Sequence, residues 1–291
     1  MRVGISNYFT ISDRLQVSDV LTTHHPRTNN PVSKQFILSR HTIRLDRYYL
    51  CMSEVVNDRL YFRQLLSGRD FAVNDQVASQ MVNFVYLIGD RKTRECLVVD
   101  PAYAIQDLLQ IVEADEMKLT GVLATHYHPD HVGGSMMGMK IQGVADLLEH
   151  TSVPIHINVN EAKWVARTTG LAESELVQHL GGDKVNVGEI EVTFVHTPGH
   201  TPGSQCFLVE HRLVAGDTLF LDGCGRTDLP GGNASDLYSS LQVLASMPSD
   251  TIVCPGHQYS AMPSANLGDV VKTNHVFKPT SQQQWLEWFA H

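Results

Sequence analysis

One seven-residue stretch, 125–131, constrains this chain more than any other part of its sequence. It reads THYHPDH, so three histidines and one aspartate stand within a few residues of one another at the spacing of metal ligands. The preceding stretch, 119–124, reads LTGVLA and is mostly apolar, which favours a buried strand. We therefore predict a strand that delivers these four side chains into a loop at its end.

The four side chains are expected to divide into two pairs. Strand alternation places His126 and His128 on one side, whereas Asp130 and His131 follow the break at Pro129 and can face a second ion. Imidazole suits zinc, iron, copper and nickel, and carboxylate adds hard-oxygen character. The ligand types therefore indicate a metal centre and narrow the choice of metal without naming it.

Three later segments also place a ligand-type residue beside glycine or proline at the end of an apolar stretch. They are 195–204, which contains His200, 213–220, which contains Asp217, and 251–257, which ends in His257. Glycine and proline favour tight turns at such strand ends. A chance surface cluster would account for the first stretch alone. We therefore predict one composite metal site built from four strand ends.

The order of these motifs resembles the signature of the metallo-β-lactamase superfamily: an HxHxDH cluster, a later His, an Asp after glycine, and a final His. The resemblance covers about residues 80 to 275, and the stretch 216–226 is most similar to the glyoxalase II branch, which comprises hydroxyacylglutathione hydrolases and shorter bacterial relatives. The resemblance implies an α/β fold of the four-layer αββα sandwich type. It also implies a dinuclear site at one edge of the two sheets.

By position, the resemblance assigns a role to each candidate ligand. One ion would be held by His126, His128 and His200, the second by Asp130, His131 and His257, and Asp217 would bridge the two. The implied cofactors are two divalent metal ions, zinc in the first place, with iron and manganese as alternatives. Such a pair supplies a metal-bound hydroxide for attack on a thioester or related acyl carbonyl. The implied enzyme is a metal-dependent hydrolase in which Asp130 and Asp217 are catalytic as well as ligating.

Arg226 matches the position at which glyoxalase II places a basic residue for its glutathione-bearing substrate. Substrate binding by Arg226 is therefore expected, with an ordinary exposed loop arginine as the alternative. Two departures from the family pattern argue against glutathione itself. The stretch after His257 is short for the C-terminal helical domain of the full-length enzymes, and Asp228 stands where an aromatic residue is expected. The expected substrate is a small-molecule thioester or ester.

Two other activities use similar motifs. The stretch 223–228 reads GCGRTD and resembles a run in persulfide dioxygenases, which would bind one Fe(II) through His126, His200 and Asp217. The Gly-Gly pair after the first cluster and the stretch 218–220 are more typical of the hydrolases, which we therefore prefer. A lactonase would use the same dinuclear centre on a cyclic ester. A β-lactamase of the common type would carry cysteine in place of Asp217.

Composition excludes several broad classes of function. The net charge of −9 argues against nucleic-acid binding, which requires a basic surface. No apolar run approaches the ~20 residues that a membrane-spanning helix needs. The five cysteines are odd in number and far apart, which fits a reducing compartment better than a disulfide framework. We expect a cytoplasmic protein with no nucleic-acid or membrane partner, and the oligomeric state is left open.

The chain is expected to change character near residue 55. Residues 1–55 show no sustained helical or strand period, whereas 56–291 carry every motif and would form the metallo-β-lactamase-like catalytic domain. Three interpretations of the N-terminal extension stay open. It is an organelle-targeting presequence, a translated stretch upstream of a start at Met52, or an extension without a catalytic role.

Weaker expectations concern individual elements and side chains outside the motifs. Strands are predicted at 82–88 and 96–99, joined at Gly89–Asp90, and helices at 105–112, 141–148, 159–169 and 235–247. Asp100 is either the partner of a metal-bound histidine or a turn-former. Cys224 is expected to serve packing. Three methionines are expected to fill the core, with an adaptable pocket mouth as the alternative: Met136, Met137 and Met139.

Overall fold

The computed structural model describes residues 58–289, and the expectations for residues 1–55 lie outside this range. Within it, the strands are β1 (Leu60–Leu66), β2 (Phe84–Asp90), β3 (Glu95–Val99), β4 (Lys118–Leu123), β5 (Gly134–Met136), β6 (Met139–Ile141), β7 (Ile155–Asn158), β8 (Leu176–His179), β9 (Lys184–Val187), β10 (Ile190–His196), β11 (Gln205–Val209), β12 (Arg212–Gly216), β13 (Ile252–Pro255) and β14 (Ala265–Asn266). The α-helices are α1 (Gln76–Met81), α2 (Ile105–Ala114), α3 (Pro129–Val132), α4 (Val144–Leu148), α5 (Ala162–Thr169), α6 (Ala234–Ala245), α7 (Leu267–Thr273) and α8 (Gln282–Phe289).

Two six-stranded sheets form the centre of this fold, and β5 pairs with β6 in a separate hairpin. The first sheet has the order β1-β2-β3-β4-β7-β8, and the second has the order β14-β13-β12-β11-β10-β9. In the first sheet β3, β4, β7 and β8 run parallel, and in the second β12 and β13 run parallel. Strands that run in the same direction end at the same edge of a sheet. In the second sheet β10 also runs in the direction of β12, because both are antiparallel to β11, so the ligand-bearing ends of β10, β12 and β13 share one edge.

Strand β2 shows how the layers are built. Phe84, Tyr86 and Ile88 enter the core between the two sheets, whereas Val85 and Leu87 enter the core under the first helical layer. All seven residues of the strand are buried. Because alternate side chains point to opposite faces, a strand covered on both sides is apolar over most of its length, as 84–88 is here.

Helices cover the outer face of each sheet. On the first sheet α2 buries Ile105, Leu108 and Val112, which lie three and four residues apart and so form one helical face. On the second sheet α6 buries Leu237 and Leu241 in the same way. The order is helices, sheet, sheet, helices, which confirms the predicted αββα sandwich. Across residues 58–289, no helix has the length and apolar character that spanning a membrane requires.

The turn expected at Gly89–Asp90 lies further along the chain. Both residues belong to β2, and the turn occupies 91–94. The buried Asp90 carboxylate accepts hydrogen bonds from Arg59 Nε at 2.7 Å and from the backbone N–H of Glu189 at 2.9 Å. A buried carboxylate with such partners is stable within a strand, so this aspartate does not mark the turn.

The helix expected over 141–148 begins only at Val144, because Ile141 is the last residue of β6. The cause is a close backbone crossing. A Cβ on Gly133 would lie 2.5 Å from the Cα of Gly143, so the chain must pass here without side chains. The crossing separates the hairpin from the helix that follows it.

The three methionines lie in or next to this β5–β6 hairpin. Met137 is 89 % exposed and Met139 is 45 % exposed, so their interpretation as core filler was wrong. Met136 packs in part against the core of the first sheet. The expectation rested on the general use of methionine to fill cores, whereas here the chain forms a hairpin whose turn is exposed.

Candidate metal centre

The structure brings all seven candidate ligands together at one edge of the sandwich. Four come from the first sheet, because the loop after β4 and the short helix α3 follow each other without a break. Three come from loops after strands of the second sheet. The seven are His126, His128, Asp130 and His131 after β4, His200 after β10, Asp217 after β12, and His257 after β13.

Three imidazole nitrogens form the first ligand group. His128 Nδ1 lies 3.0 Å from His126 Nε2 and 3.0 Å from His200 Nε2. The three ligand atoms lie within 4.8 Å of one another, which is the arrangement of a group that can hold one metal ion.

Hydrogen bonds on the far side of two rings fix which nitrogen faces this group. His200 Nδ1 lies 2.7 Å from the backbone carbonyl of Arg226, which can only accept, so Nδ1 carries the proton. His126 Nδ1 lies 2.9 Å from Thr125 Oγ1, whose own hydrogen is donated to Asp100 at 2.6 Å. In both rings Nε2 therefore presents a lone pair to the centre.

The second ligand group combines two imidazoles with a carboxylate. His131 Nε2 lies 3.2 Å from His257 Nε2, and Asp130 Oδ2 lies 3.6 Å and 3.4 Å from these two nitrogens. His257 Nδ1 donates to the backbone carbonyl of Met81 at 2.7 Å. His131 Nδ1 donates to Asp100 at 2.9 Å. Both rings again turn Nε2 towards the centre.

Asp217 reaches both groups. Its Oδ2 lies 3.7 Å from His200 Nε2 and 3.3 Å from His257 Nε2, and its Oδ1 lies 3.4 Å from His131 Nε2. Oδ1 is buried and accepts no hydrogen bond. This is the position of a carboxylate that can bridge two ions, as the resemblance implies.

The electrostatics of the first group suit neutral ligands. Burial lowers the pKa of His126 well below its ordinary value, lowers that of His128 to about 3, and lowers that of His200. Neighbouring imidazoles add to this effect at His126 and His128. These rings are therefore neutral near pH 7, as an imidazole must be to bind a metal ion.

The second group instead attracts positive charge. Burial opposes protonation of His131, but the Asp217 and Asp130 carboxylates outweigh it and raise the pKa of His131 to about 10. At His257 burial again opposes protonation, and Asp217 raises its pKa. Carboxylates that hold protons on two buried imidazoles create a negative potential that a metal cation would satisfy.

The donor set fits a pair of divalent cations. In the first group lone pairs of imidazole nitrogens converge. In the second group the Asp130 and Asp217 carboxylates face two imidazoles whose Nε2 protons a metal cation would displace, and the Asn83 amide also points towards these atoms. Two buried atoms, His128 Nε2 and Asp217 Oδ1, have no hydrogen-bond partner. Imidazole and carboxylate together accommodate zinc and iron. The arrangement therefore meets the requirements of a metal site on its own chemistry.

Asp100 organises both groups from behind. Its carboxylate accepts hydrogen bonds from the backbone N–H of Thr125 at 2.7 Å, from the Thr125 hydroxyl at 2.6 Å, and from His131 Nδ1 at 2.9 Å. Of the two roles considered for Asp100, the structure shows the histidine partner. The residue has a φ of 52°, an uncommon backbone conformation for aspartate that the surrounding contacts maintain.

Sequence reasoning missed two residues that orient Asp130. The Asn83 side-chain amide donates to the Asp130 backbone oxygen at 3.0 Å and to its Oδ2 at 3.2 Å. The Tyr103 hydroxyl donates to Asn83 Oδ1 at 2.9 Å. Neither residue belongs to a recognisable motif. The one available signal was position, because Asn83 directly precedes the central strand β2.

A cavity of about 710 Å³ opens over the ligands. Arg226, the predicted substrate-binding residue, lines this cavity, but its guanidinium is paired with Asp228 through Nε at 2.6 Å and Nη2 at 2.5 Å. Cys224 also lines the cavity, and burial raises the pKa of its thiol to about 12. A thiol of this kind stays protonated at neutral pH and is not a ready nucleophile, which agrees with the expected packing role.

The layers and the histidine-carboxylate centre define a class of αββα proteins with a metal site at one edge of the sandwich. Residues 80–257 match the family model of the Metallo-beta-lactamase superfamily. This match covers more than half of the chain, and the chain therefore belongs to that superfamily.

Three related proteins show what the chain is similar to. ETHE1 from Myxococcus xanthus is 32 % identical, and its crystal structure aligns with a TM-score of 0.64 over 78 % of this chain and 88 % of that one. The probable polyketide biosynthesis zinc-dependent hydrolase BaeB of Bacillus velezensis is 27 % identical over 71 % of this chain and 86 % of BaeB. TTHA1623, crystallised in a di-iron-bound form, is 28 % identical, with a TM-score of 0.54 over 67 % of this chain and 95 % of that one. The names of two of these proteins refer to a metal, zinc for BaeB and iron for TTHA1623.

Proposed function

We propose that this protein is a metal-dependent hydrolase of small-molecule thioesters or related esters, of the glyoxalase II-like branch, acting in the cytoplasm. The observation that carries the proposal is the convergence of two ligand groups with Asp217 in reach of both. Bound there, two divalent ions would supply a water of lowered pKa and a Lewis acid for the substrate carbonyl. The likeness to BaeB, which is named as a zinc-dependent hydrolase, supports the same reaction class.

The side chains of the site then have distinct tasks. Asp130 and Asp217 both line the cavity, so each can accept a hydrogen bond from an attacking water and hold it towards the substrate. Asn83 holds the Asp130 carboxylate in place through its amide. The protonated Cys224 takes no part as a nucleophile. Water is therefore the expected nucleophile of this site.

Metal content per chain is the first test of this proposal. Untagged protein purified without added metal or chelator should contain about two zinc-like ions by plasma mass spectrometry. It should hydrolyse acyl thioesters, lose this activity on chelation, and regain it when zinc is returned. A protein that holds two ions but cleaves no thioester, ester or lactone would contradict the proposed reaction.

A mononuclear iron dioxygenase acting on persulfides is the second candidate. The stretch 223–228 resembles the run found in that class, and residues 223–226 line the cavity beside the ligands. His126, His200 and Asp217 would then hold a single Fe(II) and leave positions open for dioxygen and a thiol-derived substrate. About one iron per chain, with oxygen uptake on glutathione persulfide, would favour this candidate. Iron alone does not decide between the two, because TTHA1623 was crystallised in a di-iron form.

A lactonase is the third candidate and uses the same two ligand groups. The test measures kcat/KM for a panel of lactones and for the thioesters on the same metal-loaded protein. A higher kcat/KM for lactones than for thioesters would favour the lactonase.

A further inference from the structure

The walls of the cavity differ in character from its floor. The floor carries the ligands, whereas the walls include six apolar or aromatic side chains: Met81, Met136, Met137, Phe220, Leu229 and Tyr259. The Tyr259 ring stacks on the His257 ring with 4.8 Å between the ring centroids and an interplanar angle of 8°. The Phe220 ring contacts the Tyr259 ring edge-on, with 5.0 Å between the centroids. An apolar surface therefore starts directly beside the candidate ligands.

Apart from the candidate ligands, two charged side chains that line the cavity are already paired within the protein. Arg226 is engaged by Asp228, and Asp222 accepts from His275 Nδ1 at 3.0 Å. An anionic carrier such as glutathione would have to compete with Asp228 for the guanidinium. An apolar acyl group needs no such exchange, because it gains by leaving water.

Met137 is placed to complete the apolar wall. It lies at the turn of the β5–β6 hairpin, lines the cavity, and is 89 % exposed. Methionine is flexible and polarisable, so it can fold over ligands of different lengths. An exposed apolar side chain at a cavity mouth loses water contact when such a ligand binds.

We propose that the acyl part of the substrate is an apolar chain and that Met137 helps to select it. This inference rests on the proposed hydrolase function and narrows its substrate class. The value of kcat/KM should rise with acyl length by up to about fourfold for each added methylene that is buried, until the cavity is filled.

The test uses the metal-loaded, full-length protein and thioesters of one thiol, pantetheine, with acetyl to decanoyl groups. Met137→Ser should flatten the dependence on acyl length, because it should lower kcat/KM for the decanoyl thioester more than for the acetyl thioester. Met139→Ser is the matched control, because Met139 lies beside the same turn but does not line this cavity. The control variant should keep the wild-type dependence.

The outcomes separate this inference from the function on which it rests. If neither these thioesters nor the corresponding oxygen esters are cleaved, the proposed function fails. If acetyl and decanoyl thioesters are cleaved with equal kcat/KM, the function stands and the apolar-chain inference is wrong. If the dependence persists in Met137→Ser, the assignment to Met137 is wrong.

An independent observation concerns Glu161, a carboxylate with 0 % exposure just after β7. Its Oε1 accepts from the backbone N–H of Tyr127 at 2.8 Å, and its Oε2 accepts from the backbone N–H of Gly203 at 2.7 Å. Tyr127 lies between His126 and His128. One side chain thus joins a ligand loop of the first sheet to a ligand loop of the second.

The hydrogen-bond geometry at position 161 favours a carboxylate over other side chains. Each oxygen receives a separate N–H, whereas the glutamine amide offers one oxygen and would oppose one N–H with its own NH₂. A Cβ on Gly203 would lie 2.7 Å from Glu161 Oε2, so the approach also requires glycine. A buried carboxylate without a cationic partner is costly, and here two backbone donors and the Thr201 side chain stabilise it.

We infer that Glu161 is a positioning residue that holds the first ligand group in shape. Its loss should let the loop of His126 and His128 drift from the loop of His200. Displaced ligands bind a metal ion more weakly even when the fold is intact.

Chelator competition on the full-length protein tests this role without relying on activity. In Glu161→Gln the affinity for one zinc ion should fall about 10- to 100-fold, with a smaller change for the other. Glu161→Asp, which keeps both oxygens on a shorter side chain, should fall in between. Glu173→Gln is the surface control, because Glu173 is exposed. A lower Tm in Glu161→Gln with both zinc affinities unchanged would show a purely structural role and overturn the inference.

Discussion

Asp100 controls the tautomers of two candidate ligands, and Asp100→Asn isolates that control. The wild-type carboxylate accepts three hydrogen bonds, two from Thr125 and one from His131. Asparagine has nearly the same shape but only one acceptor oxygen. If this oxygen stays on the Thr125 N–H, the new NH₂ faces the Thr125 hydroxyl and His131 Nδ1. His131 must then accept at Nδ1 and carry its proton on Nε2, which points into the second ligand group.

The effect extends to the first ligand group through Thr125. Its hydroxyl would accept from the new amide and donate its hydrogen to His126 Nδ1, which lies 2.9 Å away. His126 would then also carry a proton on Nε2. The other orientation of the asparagine keeps both tautomers but leaves the buried Thr125 N–H without a hydrogen bond. This lowers the free energy of unfolding by about 1–3 kcal/mol.

Either route weakens metal binding or the fold that supports it. Replacing the hydrogen-bond partner of a ligating histidine typically lowers metal affinity about 10- to 100-fold. This corresponds to about 1.4–2.8 kcal/mol of binding free energy. We therefore expect Asp100→Asn to bind both zinc ions more weakly by factors in this range.

Competitive titration with a zinc chelator measures the two affinities, and circular dichroism verifies the fold. Thr125→Val is the matched variant, because it removes the hydroxyl that contacts His126 and keeps the bond between Asp100 and His131. It should weaken mainly one of the two ions. If Asp100→Asn bound both ions within twofold of the wild-type affinity, the tautomer reasoning would be refuted.

Three further predictions follow from other contacts of the site. Asp217→Ala should reduce the metal content from about two ions per chain to about one and abolish turnover. Plasma mass spectrometry measures the metal content, and a thioester assay measures turnover. Full activity with two bound ions would contradict the bridging role. Burial raises the pKa of the Glu161 carboxyl from 4.5 to about 7, so the folded state binds the carboxyl proton more tightly than the unfolded state, and the free energy of unfolding falls by about 3 kcal/mol at most as pH rises across that window. The Tm of Glu161→Gln relative to wild type should therefore increase between pH 5 and pH 8. A constant Tm difference would show that Glu161 does not titrate in this range. Asp228→Ala removes the carboxylate that pairs with Arg226, so kcat/KM for glutathione thioesters should rise relative to kcat/KM for pantetheine thioesters. This increase should be smaller at high salt, because salt screens the attraction between Arg226 and the anionic glutathione. An unchanged ratio of the two kcat/KM values would mean that Arg226 does not contact the glutathione part of the substrate.

The convergence of the seven candidate ligands could be predicted from the sequence because their positions follow from local rules. Each of His126, His200, Asp217 and His257 lies just after a strand, and strands of one direction end at one edge. Glycine and proline at those ends made the loops recognisable. The αββα layers followed from the family resemblance, and the apolar β-strands agreed with it.

Contacts between distant segments could not be predicted in this way. Glu161 is far from Tyr127 and Gly203 along the chain, and its role depends on distances that only folding creates. The same holds for Asn83, whose partner Asp130 belongs to another element. The exposure of Met137 was missed because methionine usually fills cores, and the glycine crossing that separates its hairpin from the next helix is a tertiary contact.

The candidate ligands are divided between the two sheets, four after β4 and three after strands of the second sheet. Any cation shared by these loops is therefore also a cross-link between the halves of the sandwich. A ligand that binds only the folded state adds about 2.7 kcal/mol of stability at a hundred times its Kd. The lifetime of the folded chain would then follow the metal supply of its surroundings, so metal starvation would remove the protein as well as its activity.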